Sequence, residues 1–222
     1  MISANISRIR ATLPYGVTLV CVSKYHTLED IAYAYQAGER DFAESRVQEL
    51  IAKQACLPRD IRWHFIGHLQ TNKVRAIVPF VHLIQSVDSL RLLDAIQNEC
   101  ARIQRVVDVL LEVHVAAESS KSGFLPEEVS MLLQQDLTAQ YPNLRFRGIM
   151  GMATNTDDTA EIQRCFTLLR DIYLAEKQRR DQAGDAADWD TLSMGMSDDY
   201  PLAIACGATM VRVGSGIFGA RA

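Results

Sequence analysis

Near its C-terminus the sequence reads VRVGSGIFG, and residues 214–219, G-S-G-I-F-G, match the G-x-G-x-x-G of a dinucleotide-binding turn. That reading requires the turn to open a strand–helix–strand unit, with an acidic residue about 20 positions later for the ribose. Only Ala220, Arg221 and Ala222 follow Gly219 here, so the dinucleotide reading is set aside. The physics of the glycines is left. A turn after an apolar strand exposes successive N–H groups, and a short helix beginning at Ile217 aims its positive end at the same point, which suits a phosphate. The stretch SMGMSDD (193–199) offers similar equipment: hydroxyls at Ser193 and Ser197, a glycine, and a helix start near Asp198. Plain turns are the alternative at both places. Lys24 follows the apolar run VTLVCVS (17–23). A lysine leaving a buried strand is partly desolvated, which lowers its pKa and supplies the neutral amine that a Schiff base needs. An ordinary exposed strand-end lysine is the competing view.

The elements that must position these residues alternate along the chain. Strands are expected at 17–23, 39–44, 61–67, 81–87, 105–115, 144–152, 189–195 and 208–214. Helical patterns fill 27–38, 45–55, 70–78, 88–103, 125–135, 157–180 and 198–207. Thr27 and Asp88 are placed as N-caps, Gly38 as a helix stop, and Pro126 in a first turn, where proline is tolerated. Eight strand–helix units without a linker predict one α/β domain over 1–222, a parallel (β/α)8 TIM barrel, with an open doubly wound sheet as competitor. Barrel chemistry sits at the C-terminal strand ends. The residues to inspect are therefore Lys24, Glu44 and Ser45, His68, Ser86, His114, Met150 and Met152, Ser193 to Ser197, and Arg212 to Gly216. Glu44, Glu112 and Glu118 lie far apart and suggest no acid–base pair. His64 reads as packed or hydrogen-bonded, and His68 with Lys73 as loop residues that could meet anions.

The 222 residues are 48% hydrophobic and 23% charged, ordinary for a globular domain. A net charge of −4 argues against a nucleic-acid partner. Five cysteines (Cys21, Cys56, Cys100, Cys165, Cys206), an odd number without C-x-x-C, read as buried apolar residues of a reducing compartment. No His/Cys set has metal-site spacing. The N-terminus lacks the apolar core of a signal peptide, and no apolar run approaches a membrane span, so a cytoplasmic location without membrane partner is expected.

A phosphate cradle facing a reactive lysine suggests a ligand with both a phosphate and an aldehyde, and pyridoxal 5′-phosphate is the candidate. VSK (22–24), FAESRVQE (42–49), WHFIGHLQTNK (63–73), SVDS (86–89), ESSKSGF (118–124), RGIMGMA (147–153) and the long block 192–221 carry a resemblance. The chain resembles the pyridoxal phosphate homeostasis proteins, the YggS/PROSC family, from about residue 17 onward. The resemblance implies a barrel like the N-terminal domain of alanine racemase, fold type III among pyridoxal phosphate proteins, without that enzyme's second domain. It implies that Lys24 forms the internal aldimine, that Ser197, Gly214 and Ser215 surround the phosphate, and that Arg212 faces the pyridine nitrogen. Met150 and Ser193 then lie near the ring, and Ser45 beside it. Two departures stand out: the family's F-G-E-N is F-A-E-S here, giving Ala43 and Ser45, and His114 replaces an asparagine. His114 is expected to be a hydrogen-bonded strand-end residue. The function so implied is non-catalytic: holding and buffering the cofactor in vitamin B6 homeostasis and amino-acid balance. Pyridoxal phosphate and apo-enzymes are its partners, in a monomer. An amino-acid racemase and a regulatory module read by its occupancy are the alternatives.

Overall fold

Parallel strands covered on both faces must be apolar almost throughout, because neither face meets water. The computed structural model describes residues 1–117, 122–185 and 188–219. After α1 (Ile2–Arg10) come β1 (Thr18–Val22), α2 (Leu28–Gln36), β2 (Asp41–Glu44), α3 (Val47–Cys56), β3 (Arg62–Phe65) and α4 (Val74–Ile77). β4 (Leu83–Val87), α5 (Leu90–Arg102), β5 (Val107–Val113), α6 (Pro126–Leu133) and α7 (Leu137–Gln140) follow. The chain continues through β6 (Leu144–Gly151), α8 (Thr159–Ala183), β7 (Thr191–Ser193), α9 (Tyr200–Ala205), β8 (Met210–Val213) and α10 (Ser215–Phe218). Each strand pairs with the next, and β8 returns to β1 with Thr18 opposite Met210 and Val20 opposite Arg212, so the sheet is a closed parallel barrel. The glycine turn at 214–219 therefore follows the strand that closes the barrel.

Strand alternation divides the core into two shells. Leu19, Phe42, Trp63 and Phe65 face outward and pack under Ile31, Leu50 and Phe166 of the helices. Val20, Val22, Ala43, Leu83, Leu110, Met150 and Met210 face inward. Continuing the same period places His64, Gln85, Glu112 and Arg212 inside the barrel, all buried. The barrel interior is thus partly polar.

Local signals mostly set the ends of the elements. Thr27 Oγ1 accepts from Asp30 N while Asp30 reaches back to Thr27 N, a complete capping box. α5 is capped by Ser89, which accepts from Leu92 N at 3.3 Å. Asp88, expected there, instead accepts from His68 Nδ1 at 2.9 Å. α10 begins at Ser215 rather than Ile217, and α9 at Tyr200 rather than Asp198. The segment at 70–78 is a 3-10 turn (Thr71–Lys73) running into a short α-helix. α1 and α7 were not anticipated. α1 buries Ile6 and Ile9, and Asn5 Nδ2 donates to Ile217 O at 2.8 Å, which ties α1 to α10. Cys21, Cys100, Cys165 and Cys206 are buried thiols, and Cys56 is exposed.

Two interior positions yield predictions about stability. Gly148 has φ +148°, and a Cβ there would lie 1.8 Å from the Thr191 carbonyl oxygen across the β6–β7 pairing. Gly148→Ala is expected to cost roughly 3 kcal/mol or more, through backbone strain plus a clash with main chain that cannot yield. A thermal melt matching the wild type would refute this. Glu112 is the second. Burial and the nearby Asp88 carboxylate push its pKa up to about 7, against the pull of Arg212 and a hydrogen bond from Ser122. The folded state therefore holds this proton more tightly than the unfolded chain. The stabilisation is complete below the ordinary glutamate range near 4.5 and is lost as pH rises through about 7. Glu112→Gln should remove that component, so the variant gains on the wild type by a few kcal/mol at most between pH 5 and pH 8. Parallel denaturant titrations at both pH values test it; a pH-independent difference contradicts it.

Candidate functional site

At the C-terminal ends of the strands lies a cavity of about 270 Å³. That is near the lower end for small-molecule sites, which start at about 300 Å³. Lys24 and His26 border it from the β1 exit, and Met150 and Met152 from the β6 exit. Ser197 and Asp198 approach it after β7, Arg212 from within β8, and Gly214 and Ser215 after β8. Val22, Ile66 and Met196 complete an apolar wall.

Lys24 is positioned through its backbone. The preceding carbonyl, of Ser23, accepts from Lys53 Nζ at 2.8 Å, and the following amide, of Tyr25, donates to Glu49 Oε2 at 3.0 Å. Tyr25 has φ 69°, a left-handed turn that non-glycine residues adopt only when their surroundings enforce it. Lys53 also donates to Glu44 Oε1 at 2.8 Å, and the Ser23 hydroxyl reaches the same oxygen at 2.7 Å. Burial pushes the Glu44 carboxyl up to about 7 despite the Lys53 and Ser23 hydrogen bonds, and its Oε2 has no hydrogen-bond partner among the described residues. α3 thus grips the β1 exit from behind while Lys24 borders the cavity.

Arg212 is positioned through its side chain. It is 3% exposed. Nη1 donates to Ser193 Oγ at 2.7 Å and Nη2 to the Gly151 carbonyl at 3.0 Å. Burial pushes its pKa down to about 10, with the Glu112 and Asp199 carboxylates opposing, so the guanidinium stays charged at neutral pH. Just beyond β8, the amides of Gly214 and Gly216 converge on one point. They donate at 3.2 and 3.1 Å to Ser197 Oγ. A Cβ on Gly214 would come within 3.3 Å of the Val22 carbonyl, so the turn lies close against β1. Two N–H groups of a glycine turn converging on one oxygen are a donor pattern that a phosphate oxygen also takes, and here the Ser197 hydroxyl oxygen takes it.

Six of the eight site residues named from sequence, Lys24, Met150, Ser197, Arg212, Gly214 and Ser215, border this one cavity. Ser193 lies behind Arg212 and is fully buried. Ser45 does not line the cavity; its backbone is packed under Gly67, where a Cβ would meet the Ser45 carbonyl oxygen at 2.1 Å. His64 is packed and hydrogen-bonded, as expected. The His114 side chain is not what was expected, because Nδ1 is buried and has no partner among the described residues. His68 is exposed and pairs with Asp88 at a separate cleft. Glu118 and the start of the ESSKSGF stretch lie outside the described residues, as does Arg221. Sequence reasoning passed over His26 and Ile66, and used Asp198 only as a helix start. Counting on by two from His64 points to Ile66; for the other two no local signal distinguishes them from loop residues. No group of three or more His, Cys, Asp or Glu suited to a metal occurs among the described residues.

Residues 1–222 match the family model of the alanine racemase N-terminal domain. The pyridoxal phosphate homeostasis protein of Pasteurella multocida is 39% identical over 211 residues, covering 93% of this chain and 87% of that one. Among solved structures, PipY of Synechococcus elongatus without pyridoxal phosphate superposes with a TM-score of 0.89 at 37% identity, covering 99% and 100% of the two chains. The same protein with pyridoxal phosphate bound gives 0.86 at 36% identity and the same coverage. Alanine racemase from Streptomyces coelicolor shares the fold at 19% identity, with a TM-score of 0.81 over 98% of this chain and 57% of that one. With the barrel, the lysine, the buried arginine and the glycine turn in place, the chain belongs to the alanine racemase N-terminal domain family and, within it, to the pyridoxal phosphate homeostasis proteins.

Proposed function

We propose that this protein binds pyridoxal 5′-phosphate in the mouth cavity and holds it for buffering or delivery to apo-enzymes, without turning over amino acids. One observation carries the reading: a lysine, a buried arginine, the Ser197 hydroxyl and the Gly214–Ser215 turn border a single small cavity. The naming of the relatives and the pyridoxal phosphate complex of PipY support it.

The residues fit the ligand by chemistry. When bound, pyridoxal phosphate supplies an aldehyde that condenses with a primary amine and a ring that draws electrons from it. Lys24 provides the amine. Gly214, Ser215 and Ser197 hold the phosphate, Met150 contributes apolar contact, and Ser193 acts from behind Arg212. Arg212 faces the ring nitrogen as a donor only. A guanidinium that keeps its own proton leaves that nitrogen unprotonated and so weakens the ring as an electron sink. No tyrosine is among the described residues lining the cavity, and Asp198 is the one carboxylate there. Tyr25, next to Lys24, stacks its ring under Arg46, with 4.7 Å from guanidinium to ring centroid. A second base on the far side of the ligand, worth about 10²–10⁴-fold in such proton transfers, is therefore not provided by these walls. We read the protein as a cytoplasmic monomer of one domain; among the described residues no helix is long and apolar enough to cross a membrane.

Purified protein mixed with pyridoxal phosphate should develop a visible Schiff-base band that Lys24→Ala abolishes. A band that survives the substitution excludes Lys24 as the amine. The loaded protein, incubated with single L-amino acids and with an apo-enzyme in parallel, should transfer cofactor and leave chirality unchanged. Racemisation at ordinary enzyme rates, about 1–10³ s⁻¹, would overturn the carrier reading.

A further inference from the structure

The buried polar residues of the barrel interior are connected. Arg212 Nη1 donates to Ser193 Oγ at 2.7 Å, and the Ser193 hydroxyl donates to Gln85 Oε1 at 2.7 Å. Gln85 Nε2 lies 2.9 Å from His64 Nδ1, and His64 Nε2 lies 3.1 Å from Asp41 Oδ1. Arg62 Nε donates to that same Asp41 oxygen at 2.7 Å. These residues come from β8, β7, β4, β3 and β2, so the chain crosses the barrel from its cofactor mouth to its floor. His64, Gln85, Ser193 and Arg212 are each 3% exposed or less. The floor end opens on a separate cavity of about 340 Å³, where Asp41, Arg62 and His64 meet His82, Asp108, Arg147 and Asp190.

The chain has one consistent direction. Burial alone would raise the Asp41 carboxyl, but hydrogen bonds from Arg62 and His64 outweigh it and hold the group far below the usual carboxylate range. Asp41 is therefore an acceptor only, and His64 Nε2 must carry the hydrogen. In the neutral ring Nδ1 is then an acceptor, which obliges Gln85 to present its NH₂ to His64 and its carbonyl oxygen to Ser193. The Ser193 hydrogen is committed to Gln85, so its oxygen is left to accept from Arg212. Four donors in series point from mouth to floor. His82 also faces His64, at 5.7 Å between ring centroids, and burial lowers its pKa, so it adds no lasting positive charge near neutral pH.

We propose that Gln85, with its amide orientation set by His64 and Asp41, is the positioning residue for Arg212. On this proposal, ligand affinity at the mouth depends on a residue that does not border the cavity. The cofactor part of the inference rests on Arg212 facing pyridoxal phosphate as proposed above; the positioning part does not. An arginine side chain has many rotamers, and two fixed acceptors, Ser193 Oγ and the Gly151 carbonyl, hold this one. Without the Gln85 amide, the Ser193 hydroxyl loses its acceptor and His64 Nδ1 its donor, and Ser193 can turn from the guanidinium.

The test uses the full chain carrying ¹⁵N-arginine. In the cofactor-free protein, Arg212 should give slowly exchanging side-chain N–H resonances, assigned by their loss in Arg212→Lys. Gln85→Leu should shift or broaden those resonances and weaken pyridoxal phosphate binding by about tenfold to hundredfold, the loss of one hydrogen bond to a charged group. Gln85→Glu still accepts from Ser193, but it can bond to His64 only when one proton is added to the pair of new carboxylate and ring nitrogen. Affinity of this variant should therefore rise as pH falls, by more than any change in the wild type, which a merely structural role would not produce. Unchanged arginine resonances in Gln85→Leu overturn the positioning role whatever the cofactor does. Shifted resonances with affinity within about twofold of the wild type overturn the link to the cofactor. If the wild type binds no pyridoxal phosphate, the functional reading fails, and the resonances alone still decide the role of Gln85.

Discussion

Arg212 lies 3% exposed inside a parallel barrel, where taking a cation out of water costs several kcal/mol unless its donors are matched. Much of the interior answers to that constraint. The carboxyl that acts on it most strongly, Glu112, has its own pKa raised to about 7, so at neutral pH it is only partly ionised and a poor counter-ion. Neutral dipoles do the matching instead: the Gly151 carbonyl and the Ser193 hydroxyl, the latter held by Gln85. Small residues, Ala43 and Ser193, also face the barrel interior. Gly151 lets α8 close over β6, where a Cβ would meet Leu169 at 2.6 Å. A positive charge solvated by dipoles rather than neutralised by a carboxylate keeps its field, and that field reaches the mouth cavity that Arg212 borders.

Lys24 is fixed by the opposite device. Its neighbouring backbone groups are anchored, through the Ser23 carbonyl and the Tyr25 amide, to Lys53 and Glu49 of α3. A group that must exchange partners is served by a rigid base and a long side chain. A group that must present one fixed donor face is served by side-chain constraint. Both basic side chains border one cavity, and each is held by the mode that suits the chemistry proposed for it.

The alternation of buried strand and amphipathic helix was legible because barrel strands are covered on both faces and leave a continuous apolar run. The mouth residues were legible for a related reason, since the first polar residue after such a run, Lys24, or the glycine turn after β8, marks a strand exit. The caps were partly legible: Thr27 with Asp30 is a local pattern, whereas Asp88 and Ser89 are both good caps, and only the pairing of Asp88 with His68 separates them. α1 escaped because its stripe of Ile2, Ile6 and Ile9 is short and its partner, α10, lies more than 200 residues away. The interior network was not legible at all. His64, Gln85, Ser193 and Arg212 are isolated polar residues in four separate strands, and only barrel closure stacks them.

The direction of that network bears on why the site suits holding more than turnover. Proton transfer at a bound ligand needs a group that can release or accept a proton at the right face. Along the spine each donor is committed toward the floor: Arg212 to Ser193, Ser193 to Gln85, Gln85 to His64, His64 to an ionised Asp41. Ser193 therefore offers no hydrogen to the mouth, and Arg212 retains its own near neutral pH. Moving a proton up this path requires each member to reverse, the Gln85 amide included, against the pull of the Arg62–Asp41 pair. This chain of hydrogen bonds thus supplies a fixed electrostatic partner and withholds its own protons, which fits the holding role proposed for the site.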